Sequence, residues 1–258
     1  RRYGPAQARA LTPRRLVYCL PMRTLVDQTE TRVREWLTNL DLTSDVGLHA
    51  LRGGAVDASW DDMPERDAVL VGTQDQLLSR ALNRGYAMSR YRWPIHFALL
   101  NNDVLWVLDE TQLMGVGLST SAQLEGFRRR FGTYGPAASL WMSATLEPAR
   151  LATVDLRGIS LDALGIEDDD RRDERLAPRL RASKRLHRTT VPFQRDPARY
   201  AAALSLDILA HHKPDTLTLV IVNRVARAQE LRRALAKASP ATPIALIHSR
   251  FRPADRAR

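Results

Sequence analysis

The chain has 258 residues, 44% hydrophobic and 26% charged, a composition near the globular average that excludes a mainly disordered state. Its longest apolar stretches, such as Thr216 to Val222, fall far short of the roughly 20 residues a membrane span needs, so no membrane partner is expected. A formal charge of +10 favours polyanionic partners such as nucleic acid, and the single cysteine, Cys19, excludes an internal disulfide and suits a reducing cytosol.

Along the chain, a short apolar run, a polar cluster and a helical pattern recur. The apolar runs are Arg15–Leu20, 46–50, 68–71, Val104–Leu108, 138–142, 217–222 and 244–247. Helical periodicity falls at 24–37, 75–82, 121–131, 198–211 and 226–236. Strands alternating with helices predict an α/β fold with a mostly parallel sheet and helices on its faces. Between residues 147 and 192 the pattern fails, and 167–188 crowds charges of both signs. The expected organisation is a first domain over 1–150, a charged connector or insertion over 151–192, and the beginning of a second domain over 193–258.

In such sheets ligands gather beyond the carboxyl ends of the strands, and nearly every apolar run here ends in a polar cluster. Asp109 and Glu110 follow Val104–Leu108. Adjacent carboxylates at a strand end point different ways, so one can hold Mg²⁺ while the other orients or deprotonates a water. Phosphoryl transfer to water requires that division of labour. Asp173-Glu174 is a second such pair with no strand before it, so the dipeptide carries meaning only by its position ahead of Ser143-Ala144-Thr145. The hydroxyls of Ser143 and Thr145 are placed to bond Gln112 across neighbouring strand ends and so to link hydrolysis to movement. The plainer role for such residues is a helix N-cap.

Arg23-Thr24 and Gly72-Thr73 stand where a strand turns into a helix, and helix N-termini offer free amides to nucleic-acid phosphates. Thr73-x-x-Gln76 and Thr120-x-x-Gln123 also read as capping boxes, which is compatible with phosphate contact. Gly53-Gly54 suits either a close backbone approach to a ligand or an ordinary turn. Asn223 reads as an N-cap. His211-His212 lacks third and fourth metal ligands and reads as dipole compensation at a helix end. Trp36, Trp93, Trp106 and Trp141 read as core or partly buried aromatics, and Arg128-Arg129-Arg130 as a solvated helix face. The Gly-x-x-x-x-Gly-Lys-Ser/Thr phosphate loop does not occur, since the only lysines are Lys184, Lys213 and Lys237.

The clusters, in this order, resemble superfamily-2 DExD/H helicases: motif Ia at 21–24, a Gly-Gly doublet at Gly53-Gly54, motif Ib at 72–76, motif II at 109–112, motif III at 143–145 and motif IV at 221–223. The finer wording looks like the signature helicase-nuclease of type I CRISPR systems, in Leu20-Pro-Met-Arg-Thr-Leu-Val-Asp-Gln-Thr29, Gly72-Thr-Gln-Asp-Gln-Leu-Leu78 and Leu246-Ile-His-Ser-Arg-Phe251. Asp109-Glu-Thr-Gln-Leu-Met-Gly115 with Thr120-x-x-Gln-Leu124 looks most like the I-G (I-U) branch.

The resemblance implies two RecA-like domains, the first incomplete and the second only begun. They bind ATP and Mg²⁺ in their cleft and draw single-stranded DNA across their tops, in a bacterial cytoplasm, with a CRISPR RNA-guided surveillance complex as partner. Carried over by residue, Asp109 holds Mg²⁺, Glu110 activates water, and Gln112, Ser143 and Thr145 couple hydrolysis to movement. Arg23, Thr24, Gly53, Gly54, Gly72 and Thr73 touch DNA, joined from the second domain by Asn223, His248 and Arg250. Gln112 departs from the usual final Asp or His of motif II. The resemblance puts the P-loop before Arg1 and motifs V and VI, with the arginine finger, beyond Arg258. The His-Asp pair of the family's nuclease does not occur. The 258 residues alone are therefore expected not to turn over ATP. Another superfamily-2 ATPase, such as an RNA helicase or restriction translocase, and a nucleic-acid-binding module without hydrolysis are the alternatives.

Overall fold

The computed structural model describes residues 11–53, 55–56, 59–86, 88–145, 148–183 and 188–251. The chain divides into two compact units, Arg1–Ala163 and Leu164–Arg258. The first extends past residue 150 because Leu151 and Leu156 are buried in its core.

The first unit is the α/β sheet that the alternation of patterns predicts. Its strands are β1 (Arg15–Leu20), β2 (Val46–Arg52), β3 (Ala55–Val56), β4 (Asp67–Thr73), β5 (Val104–Leu108) and β6 (Ala137–Trp141), in the order β3-β2-β4-β1-β5-β6. All pair in parallel except the two-residue β3, antiparallel to β2 at the edge. Side chains alternate between the two faces. Val17 and Cys19 of β1 join Leu70, Val104, Trp106 and Leu108 on one face, while Leu16, Tyr18 and Leu20 join Val69 and Val71 on the other. Helix α1 (Arg23–Asn39) covers the second face with Val26, Val33 and Leu37. Helices α2 (Gln74–Ala81), α3 (Trp93–Asn101) and α4 (Val116–Phe131) cover the first with Leu77, Ala81, Leu100, Leu118 and Ala122. Full burial of each large aliphatic contributes about 1.5–3 kcal/mol. Cys19 is wholly buried, and that burial, helped by Asp75, pushes its thiol pKa far up.

Several details differ from the sequence reading. Helix α3 escapes the periodicity because Trp93–Asn101 is apolar nearly all round, although Pro94 in its first turn marks a helix start. Helix α4 begins at Val116, so Thr120 lies inside it and donates to the Val116 carbonyl (3.1 Å) rather than forming a capping box. Gly117 lets the Gln74 amide lie against the helix there, since a Cβ would displace it. Trp36 is 57% exposed and belongs to no core. Arg128, read as solvated, is buried: its guanidinium donates to Glu125 Oε2 (3.0 Å), Ser139 Oγ (2.8 Å) and Asn101 Oδ1 (3.2 Å). Glu125 also accepts from Ser139 (3.0 Å) and Arg129 (2.7 Å), so one buried carboxylate ties α4 to β6.

The second unit packs α7 (Pro197–His211) against α8 (Val225–Ala238), after the short helices α5 (Asp168–Arg172) and α6 (Ala177–Arg181). Asp196 caps α7 by accepting from the Ala198 and Arg199 amides (2.9 and 3.2 Å), with Pro197 as its first residue. The two runs expected as strands, 217–222 and 244–247, form no strand among the described residues. A strand needs ladder partners for its backbone, and these runs leave Leu217, Leu219, Ile221 and Ile247 exposed instead. Together with α7 and α8 they line a cavity of about 930 Å³. His211 Nδ1 rests on the Asp207 carbonyl (2.8 Å) and His212 Nδ1 on Thr218 Oγ1 (2.8 Å). Among the described residues no helix is long and apolar enough to cross a membrane.

Candidate active site

The chain leaves β1 to form β2, returns to β4 beside β1, then crosses to β5 on the other side. A switch of this kind opens a crevice at the carboxyl ends of the strands. Asp109 lies one residue beyond β5, where its N–H donates to the Cys19 carbonyl (3.0 Å) and extends the ladder one step. By strand parity its side chain falls on the face of Leu105 and Val107, the face that Tyr18 also occupies. Tyr18 donates its hydroxyl to Asp109 Oδ2 (2.8 Å), and the Glu110 amide donates to Asp109 Oδ1 (2.8 Å). Burial first, and then the bond to Asp109, push the Tyr18 pKa well above the usual phenol value, so it stays a donor.

At Glu110 the backbone turns into the left-handed region, φ 54° and ψ 42°. For a residue with a Cβ this costs about 1–3 kcal/mol, a strain typical of functional sites. The turn takes the chain out of the strand direction, and the Glu110 carboxylate meets Gln112, whose Nε2 donates to Glu110 Oε2 (2.5 Å). Ser143 Oγ donates to Gln112 Oε1 (2.7 Å), and the Thr145 amide donates to Ser143 Oγ (3.0 Å). An ionised carboxylate only accepts, so the amide must present NH₂ to Glu110 and its oxygen to the Ser143 hydroxyl. The relay therefore runs Glu110, Gln112, Ser143, Thr145. It uses one hydroxyl of the two expected, since Thr145 enters through its backbone. Thr111, which the sequence reading passed over, is wholly buried and pins the loop by giving both its N–H and its hydroxyl to the Met142 carbonyl (3.2 Å each).

The polar ends of β1, β2 and β4 lie on the same edge of the sheet as the carboxylates. Exposed Arg23 opens α1 and donates to the Gly53 carbonyl at the end of β2 (3.2 Å), with exposed Thr24 beside it. Met22 and Thr73, the residues that precede α1 and α2, make no side-chain cap bond. The Thr73 capping box is thus not formed: Gln76 turns inward, and its Oε1 receives Arg80 Nη1 (2.6 Å). Neither N-cap side chain therefore takes up the first-turn amides of its helix, although Asp75 stands in the first turn of α2. Gly72 is buried in β4, where a Cβ would lie 2.8 Å from the Leu51 carbonyl oxygen, so close strand packing is by itself a reason for glycine there. Gly54 lies outside the described residues.

Asn223, His248 and Arg250 belong to the second unit. Asn223 does not cap α8, a position that Arg224 takes, and instead accepts from Arg227 Nη1 (3.3 Å). The His248 ring stacks on Phe251 at 4.1 Å and its Nδ1 accepts from the Arg250 amide (3.3 Å).

Residues 6–154 match the DEAD/DEAH box helicase family, more than half of the chain. No curated protein matches it in sequence. The solved DUF1998 helicase MrfA bound to DNA is 13% identical, with a TM-score of 0.55 over 94% of this chain and 33% of that one. MrfA bound to DNA and AMPPNP is also 13% identical, with a TM-score of 0.49 over 86% of this chain and 30% of that one. The chain thus spans about a third of the length of the DNA-bound MrfA structure, and the likeness is one of fold. The parallel sheet and its flanking helices are a RecA-like first unit. The chain belongs to the DEAD/DEAH box helicase family.

Proposed function

We propose that this chain is part of an ATP-driven motor that moves along single-stranded DNA. In this reading it is the helicase portion of a type I CRISPR helicase-nuclease, acting on target DNA opened by an RNA-guided surveillance complex. The observation that carries the motor is the relay from Glu110 through Gln112 to Ser143, because it joins a water-activating carboxylate to a neighbouring strand end. The CRISPR assignment rests on the wording of the motifs in sequence, above all Asp109-Glu-Thr-Gln-Leu-Met-Gly115.

The donor set suits Mg²⁺. Asp109 is a half-buried carboxylate with one hydrogen-bond donor at each oxygen, which leaves oxygen lone pairs of the kind Mg²⁺ takes. Mg²⁺ of this kind is held by one or two carboxylates together with substrate phosphates. When bound it would neutralise charge on the phosphates. Glu110 takes a proton from the attacking water as the water oxygen bonds the γ-phosphorus and the bond to the β,γ-bridging oxygen breaks. The change at Glu110 passes through the Gln112 amide to Ser143 and Thr145. Arg23, Thr24, Gly53 and Thr73 hold the DNA backbone, joined from the second unit by Asn223, His248 and Arg250. The 258 residues alone remain inactive.

The test uses the intact gene product. ATP turnover should rise with single-stranded DNA and not with RNA, and the isolated 258 residues should show none. DNA opened by an RNA-guided complex should be unwound faster than free duplex. Equal rates on both would remove the CRISPR assignment and leave the motor standing, whereas no DNA-stimulated turnover would remove the motor.

A further inference from the structure

The geometry points to Tyr18 as a positioning residue that fixes the metal-holding carboxylate Asp109, an inference that rests on the role proposed above for Asp109. Each oxygen of the Asp109 carboxylate has one donor. The Glu110 amide reaches Oδ1 from within the same turn, and the Tyr18 hydroxyl reaches Oδ2 from the neighbouring strand, each at 2.8 Å. A carboxylate oxygen offers two lone pairs. Both oxygens therefore keep one lone pair for a cation or its water shell, while rotation of the group is blocked from both sides.

The position is set by the backbone. Tyr18 pairs with Val107 in the parallel register of β1 and β5, so Asp109 sits two residues further along the adjacent strand, on the same face. Only a side chain as long as tyrosine spans that diagonal. Leu16 and Leu20, the other residues of this face, fill the core under α1 and offer no donor. Phenylalanine at position 18 would keep the packing of the ring against this cluster, so packing alone gives no reason for the hydroxyl. Its effect is to select the rotamer of Asp109 before the metal arrives. Partners that orient a metal ligand typically contribute 10–100-fold in metal affinity.

Tyr18→Phe in the intact gene product separates the hydroxyl from the ring. Binding of a fluorescent, non-hydrolysable ATP analogue is measured across a Mg²⁺ titration and again in EDTA, for wild type, Tyr18→Phe and Asp109→Asn. The Mg²⁺ concentration giving half-maximal binding should rise about tenfold in Tyr18→Phe, with binding in EDTA unchanged. Asp109→Asn should lose the Mg²⁺-dependent part altogether. If Asp109→Asn behaves so while Tyr18→Phe matches wild type, the positioning role falls and the Asp109 reading stands. If Asp109→Asn also matches wild type, the Asp109 reading falls and takes this inference with it. If Tyr18→Phe weakens binding in EDTA as much as in Mg²⁺, the hydroxyl is structural and the inference is overturned.

Discussion

Ser143 at the end of β6 and Gln112 beyond β5 share one hydrogen bond, 2.7 Å long, with the serine as donor. Ser143→Ala leaves the Gln112 oxygen to water, a loss of about 1 kcal/mol, while Glu110 keeps its bond from Nε2. ATP turnover by the intact gene product should change by less than about tenfold, and base pairs opened per ATP should fall much further. Parallel losses in both would show that Ser143 serves hydrolysis itself.

Glu110→Gln preserves size and can still meet the Gln112 amide by turning its carbonyl toward it, but it cannot accept a proton. Turnover should fall by about 10²–10⁴. Nucleotide affinity should hold or rise, since a negative charge beside the γ-phosphate is gone. Turnover and equilibrium binding on the same preparation decide it, and near-normal turnover would remove Glu110 from the chemistry.

Arg23→Ala should weaken binding to all single-stranded sequences alike and flatten the salt dependence of the binding constant by about one charge. Thr73→Ala should weaken binding without changing that slope. Fluorescence anisotropy at several salt concentrations reads both effects. A changed sequence preference with an unaltered slope would reject the backbone assignment of Arg23.

Gly72→Ala should lower stability by about 1–3 kcal/mol, because the new methyl meets a strand carbonyl that cannot swing away. Gly53 has open space around a Cβ, so Gly53→Ala should lie close to wild type. Urea denaturation of the two variants side by side makes the comparison. Equal midpoints would mean that β2 yields to the methyl group.

Glu125→Ala should be the most damaging of these changes, costing about 3–5 kcal/mol, since it strands the Arg128 guanidinium in the core without its counter-charge. Replacing both residues with apolar ones should recover much of that loss. The thermal midpoints of the single and double variants test this, and additive losses would contradict it.

What the sequence made legible was local. Strands β1 and β5 match their expected bounds because each is a largely buried apolar run closed by polar residues. The carboxylate pair could be placed because a strand end is a local property. The environment of Arg128 could not, since it depends on Asn101 and Ser139, distant in sequence. Tyr18 was hidden for the same reason: its partner lies 91 residues away, and only the register of β1 on β5 brings them together. The runs at 217–222 and 244–247 show the converse. Apolar, β-branched sequence predicts a strand, yet a strand exists only through partners that the run does not itself contain.

The burial of Cys19 bears on how the protein can be observed. A thiol sealed inside a sheet and held in its protonated form reacts slowly with maleimides and oxidants. Because it is the chain's one cysteine, a second placed on an exposed helix of either unit would carry a fluorophore or spin label almost alone. The native residue need not be removed first, so site-specific spectroscopy can begin from the unaltered chain.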